Sequence, residues 1–149
     1  MGMRAAPATM LAAFLAITAG CTASAPPTAL TSITVVGEVK ANGDSSTPLD
    51  IVFIYDSKVL GLMPQQASDW FARKETLIKG LATAIEVVSQ GVRPIKVIAV
   101  PLPKDYARAI AVYGYANTLS PDGQPVCNLT PYKQMALWIT PDSVLCTDQ

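Results

Sequence analysis

The chain has 149 residues, half of them apolar and only 15% charged, with 11 basic and 11 acidic side chains. That balance suits one compact domain and excludes a disordered polyelectrolyte or a basic nucleic-acid arm. There is no histidine, which removes the Ser-His-Asp triad, the Cys-His dyad, histidine-based zinc sites and an imidazole general base.

Residues 1–20, MGMRAAPATMLAAFLAITAG, place Arg4 ahead of an uncharged stretch of 16 residues ending in small side chains, the layout of a secretory signal peptide. A membrane-spanning helix needs about 20 predominantly apolar residues, and this stretch is shorter, rich in alanine and interrupted by Pro7. Thr18-Ala19-Gly20-Cys21 resembles the bacterial lipobox, with Thr18 where an aliphatic residue is usual, so Cys21 is expected to be acylated and to begin the mature chain. Each buried CH₂ of an acyl chain contributes roughly 0.8 kcal/mol, and two or more chains anchor stably. Thr22 follows Cys21; by resemblance to lipoprotein sorting rules, the absence of Asp there favours the periplasmic face of the outer membrane. Residues 21–32 are the lipidated N-terminus and an uncharged Pro/Ala/Ser/Thr tether, and 33–149 are the periplasmic domain. Without Arg4 the mature chain has 10 basic against 11 acidic residues, too balanced for electrostatic adhesion to a bilayer.

In the domain, Ile33, Val35 and Val39 alternate with polar residues as in a half-buried strand. Lys40 to Pro48, KANGDSSTP, is a turn-rich surface loop. Leu49 to Tyr55 is apolar on both faces after Asp50, as in a strand covered on each side. Pro64 offers a first helical position, and Ala67, Trp70, Phe71, Leu77, Ile78 and Leu81 recur at helical spacing, predicting an amphipathic helix over about 64–79, ended by Lys79-Gly80. A strand over 84–89 is closed by Gln90-Gly91, and Ile95 to Val100 is another. Pro101 to Asp105 breaks the ladder. Arg108 to Ala116 resumes it, expected antiparallel to the preceding strand. Residues 117–134 are a long loop, Met135 to Thr140 a strong strand and Val144 to Cys146 a short edge. Six or seven short strands, one helix and no βαβ rhythm predict a mainly β fold, a two-layer antiparallel β-sandwich with a short helical insertion.

Candidate sites are few. Removing Cys21 leaves Cys127 and Cys146 as an even pair in an oxidising compartment. A redox couple or metal ligation is the alternative, but there is no CxxC spacing and no histidine, so a structural disulfide is expected. Asp50 and Asp56 sit at opposite ends of a strand segment spanning roughly 20 Å, too far for an acid/base pair, and are read as solvated, as are Asp69 and Glu75. Lys79-Gly80 lacks the rest of a phosphate loop. Trp70, Phe71, Tyr113, Tyr115 and Trp138 are read as core and rim, and the Asn128-Leu129-Thr130 sequon carries no role. No catalytic residue, metal or cofactor is expected.

Several stretches together resemble the type VI secretion system outer-membrane lipoprotein family (TssJ-like). They are the lipobox-like Thr18 to Cys21, the loop and strand from Asn42-Gly43-Asp44 to Tyr55, Asp69-Trp70-Phe71 in the helix, and Val100-Pro101-Leu102-Pro103 running to Tyr113. The family's aromatic-x-Leu at the end of the second strand is here Tyr55-Asp56-Ser57, and the cysteine pair and proline-rich loop of the last third are additions. The resemblance implies a transthyretin-like sandwich without catalytic activity. The implied partners are a lipid bilayer, through acylated Cys21, and an inner-membrane secretion-complex protein with a large periplasmic domain. The latter is gripped chiefly by the loop between the first two strands, with Asn42, Gly43 and Asp44 at its tip. The alternative is a periplasmic lipoprotein acting as a pilotin, an assembly factor or a small-ligand-binding module.

Overall fold

A computed structural model describes Met1, Gly2 and residues 25–149; the rest of the segment read as a signal peptide, Cys21 and the first part of the segment read as a tether lie outside the described residues. The elements are β1 (Ser32–Gly37), β2 (Thr47–Ile54), α1 (Ala67–Gly80), β3 (Ile85–Val92), β4 (Lys96–Ala99), β5 (Ala111–Ala116), β6 (Cys127–Asn128), β7 (Gln134–Ile139) and β8 (Val144–Asp148). They form two four-stranded sheets, ordered β4-β1-β7-β8 and β3-β2-β5-β6. Every pairing is antiparallel except β1 with β7.

The alternation read from the sequence decides what each face touches. Ile33, Val35, Leu49, Ile51, Phe53, Val112, Leu137 and Ile139 meet between the sheets. On the opposite face of β2, Val52 and Ile54 join Tyr115 against Ala67, Trp70 and Leu77 of α1. The helix therefore roofs the second sheet, which is why β2 is apolar on both faces.

Four expectations need correction. The helix begins at Ala67 because its approach is engaged elsewhere: Ala67 N–H donates to the Gln124 carbonyl and Val126 N–H to that of Gln65. β3 does not turn at Gln90-Gly91 but continues to Val92, because its partner β2 extends to Thr47. The strands flanking the proline segment are not paired with each other: β4 joins β1 and β5 joins β2. Pro101 and Pro103 cannot donate to a ladder, and the segment instead carries the chain from one sheet to the other. Finally, the 117–134 loop contains the short strand β6.

One seam of the sandwich is stapled. β6 and β8 are edge strands of different sheets, and Cys127 is bonded to Cys146, with Cα atoms 6.2 Å apart and a sequence separation of 19. A loop of that length is worth on the order of 3 kcal/mol in the chain-entropy model. Replacing both cysteines with alanine should lower stability by about that amount, read as an earlier urea midpoint; an unchanged midpoint would contradict the staple.

The sandwich also has a direction. Thr28 N–H donates to the Ala109 carbonyl at 2.7 Å, Thr31 N–H donates to that of Lys133 at 2.6 Å, and Leu30 is buried. Among the described residues, packing of this segment against the sandwich thus begins near Thr28, inside the stretch read as tether. The chain enters at the end where β2 finishes, and β1 runs to the opposite end, where it meets the β1–β2 loop.

Candidate functional site

The β1–β2 loop is shaped by left-handed backbone. Lys40 (φ 61°), Asn42 (φ 47°), Gly43 (φ 62°) and Asp44 (φ 64°) all have positive φ, a conformation that Asn, Asp and Gly adopt most readily. The loop is nonetheless fixed. Asn42 N–H donates to the Thr140 carbonyl at 3.0 Å, its side-chain oxygen accepts from Leu119 N–H at 2.8 Å, and its side-chain amide reaches the Asn117 carbonyl at 3.4 Å. Asn42 is only 4% exposed. The three residues named from the sequence therefore divide: Asn42 is a clamp turned inward, while Gly43 and Asp44 are exposed.

Three exposed apolar side chains stand among the polar residues around the loop. Val39 is 65% exposed, Ile95 73% and Leu119 67%, and Ile95 N–H lies 3.4 Å from the Glu38 carbonyl. Ile95 has φ 56°, a strained conformation for a β-branched residue, of the kind that clusters at functional positions. Val39, expected from its alternation with Ile33 and Val35 to belong to the half-buried strand, instead lies beyond the end of β1 at Gly37; nothing in the sequence indicates Ile95 or Leu119, which reach this end only through the crossing between sheets and the clamp on Asn42.

Asp50 is not solvated as read from the sequence: it is 2% exposed. It accepts from Trp70 Nε1 at 2.8 Å and Ser89 Oγ at 2.6 Å and pairs with Lys74 Nζ at 2.8 Å. Three donors satisfy one buried carboxylate, as a charge in the interior requires. Trp70 also stacks on Tyr115, ring centres 4.8 Å apart, and the Tyr115 hydroxyl donates to the Pro64 carbonyl at 2.8 Å. This cluster fastens α1 to the second sheet. Asp56, by contrast, caps the following turn by accepting from Lys58 N–H, and Asp69 and Glu75 are exposed.

At the tether end an open cleft of about 290 Å³ is lined by Tyr55, Ala82, Thr83, Ile85, Glu86, Asp105 and Arg108. Tyr55 donates to Glu86 at 3.2 Å; burial, and then the Glu86 charge, push its phenol up to about 12. Burial raises the Tyr115 phenol further still. A raised phenol pKa favours the neutral native form, so its contribution to stability is complete below pH 10 and lost as pH rises through about 12. In a titration followed by phenolate absorbance, Tyr55→Phe should remove a step near pH 12; persistence of that step would contradict the assignment.

Among the described residues no helix is long and apolar enough to cross a membrane. No protein-family model and no curated protein matches the chain. Among solved structures it is similar to the type VI secretion lipoprotein TssJ1 of Pseudomonas aeruginosa, at 11% identity and a TM-score of 0.54 over 83% of this chain and 98% of that one. It is likewise similar to Lip of Serratia marcescens, a membrane-bound component of the type VI secretion system, at 8% identity and a TM-score of 0.56 over the same shares. The protein thus has the mainly β sandwich fold of these type VI secretion lipoproteins.

Proposed function

We propose that the protein is a lipid-anchored, non-enzymatic subunit of a type VI secretion membrane complex. It is held at the periplasmic face of the outer membrane by acylated Cys21 and grips the periplasmic part of an inner-membrane protein. The fold shared with the two lipoproteins supports the setting. The observation that carries the reading is the direction of the sandwich: the tether enters beside Ala109, and the β1–β2 loop stands at the far end. An anchor at Cys21 then leaves Gly43 and Asp44, with exposed Val39, Ile95 and Leu119, facing away from the lipid. Rigid scaffolds present binding loops in this way, and apolar side chains ringed by polar ones mark protein contacts.

Affinity purification of the full chain from detergent-solubilised envelopes tests it. A large inner-membrane protein of the secretion complex should co-purify with the parent chain and be depleted by Asp44→Lys combined with Ile95→Asp. Absence of such a protein in repeated preparations contradicts the proposal. The cleft beside Tyr55 favours a second reading, a small-ligand-binding lipoprotein, which requires a ligand displaced by substitution of Arg108.

A further inference from the structure

The two seams of the sandwich are treated differently. One is stapled by Cys127–Cys146; the other is bordered by the edge strands β3 and β4. Sheet edges expose unpaired backbone groups, which proteins blunt with short strands, proline, lysine or bulges. Three of the four edges here are blunted. β6 has two residues. β4 has four, includes Lys96, and lies between Pro94 and Pro101. β8 is tied to the staple and ends on Asp148. β3 has eight residues, IEVVSQGV, with neither proline nor lysine, and its register with β2 is unbroken from Ile85 to Val92.

The hydrogen-bond parity of β3 identifies the groups left open. Tyr55 N–H donates to the Ala84 carbonyl, so with the register Ile54↔Ile85 the ladder to β2 uses Glu86, Val88, Gln90 and Val92. In an antiparallel pair the intervening residues point their N–H and C=O groups away. Those of Val87, Ser89 and Gly91 therefore face outward, with no backbone partner among the described residues. Behind this edge, Val88 and Ile98 are half-buried and packed on the main core, so apolar surface borders the open backbone.

We infer that β3 is a strand-addition site: an extended segment of the inner-membrane partner pairs with Val87, Ser89 and Gly91 and covers the seam over Val88 and Ile98. Main-chain pairing supplies affinity and alternate side chains supply selectivity. Glu86 is the single charge of β3, so charge complementarity favours an added segment with a basic residue opposite Glu86. A second copy of this chain fits less well. Antiparallel β3–β3 pairing about a two-fold axis sets the tether end of one copy beside the loop end of the other, which sends two lipid anchors in opposite directions. The identity of the occupant rests on the proposed function; the open edge does not.

The test places a photocrosslinking amino acid at Gln90, and separately at Asp44, of the full chain in living cells, with adducts identified by mass spectrometry. An adduct at Gln90 with the inner-membrane protein is expected. It should fall at least tenfold in Val87→Pro, which removes an outward N–H without touching the β2 ladder, and persist in Val87→Ala, which loses the same side chain but keeps the donor. Circular dichroism and retention of the Asp44 adduct show that Val87→Pro has folded. Loss of secondary structure moves the same comparison to Gly91→Pro, whose outward N–H is the next along the edge. An adduct at Asp44 without one at Gln90 overturns strand addition alone, and absence of both overturns the proposed function as well. A Gln90 adduct with a second copy, or equal adducts in the proline and alanine variants, also overturns it.

Discussion

Asp50→Ala should unfold with a thermal midpoint roughly 12 °C below that of the parent domain, corresponding to about 3 kcal/mol. The carboxylate holds Trp70, Lys74 and Ser89 at once. Its removal strands the indole N–H of Trp70, a residue with no exposed surface, and an unsatisfied buried donor costs about 1–3 kcal/mol by itself. Lys74 can turn to water, since its side chain is 30% exposed, which keeps the loss at the low end for a broken buried pair. Asp50→Asn retains an acceptor for Trp70 and should lose about half as much. A Trp70→Phe/Asp50→Ala pair should be less than additive, because both remove one shared bond. Thermal melts by circular dichroism measure all of these; a shift of only a degree or two in Asp50→Ala would mean that the cluster does not fasten α1 to the sheet.

Cys21→Ser should move the protein from the sedimenting envelope to the soluble periplasmic fraction. From Cys21 onward the chain is nearly neutral, and among the described residues no helix is long and apolar enough to cross a membrane. On the proposed lipidation of Cys21, the acyl chains are the main hold on the membrane. A single chain gives a partition constant of only about 10⁴ M⁻¹ and two or more make anchoring stable, so loss of all of them should be close to complete release. Fractionation with immunodetection measures it, and unchanged sedimentation would refute lipidation.

Much of the sandwich is legible in the chain because period two is a local signal. β1, β2 and β7 announce their faces through β-branched alternation, and the helix through Trp70, Leu77 and their neighbours. Pairing is less legible. Nothing near Val100 tells whether Pro101 to Asp105 is a hairpin or a crossing, since both forbid donation by the same prolines; the choice is made by distant pairing, β4 with β1 and β5 with β2, which brings Val35 and Ile51 together between the sheets. Asp50 was open to a different reading: a lone acid in an otherwise apolar strand signals a buried partner as well as a surface, but Trp70 and Lys74 lie 20 and 24 residues away. At the loop, turn chemistry identifies Asn42, Gly43 and Asp44, but not that Asn42 turns inward to hold Leu119. The clamp depends on a loop 75 to 77 residues distant.

The photocrosslinker at Asp44 is the most direct measure of the central claim, because it reports the occupant of the far end of the sandwich in the intact envelope. An adduct whose second component is a large inner-membrane protein with a periplasmic domain is the predicted result. A membrane-bound chain that yields no adduct there, or one only with soluble periplasmic proteins, contradicts the account.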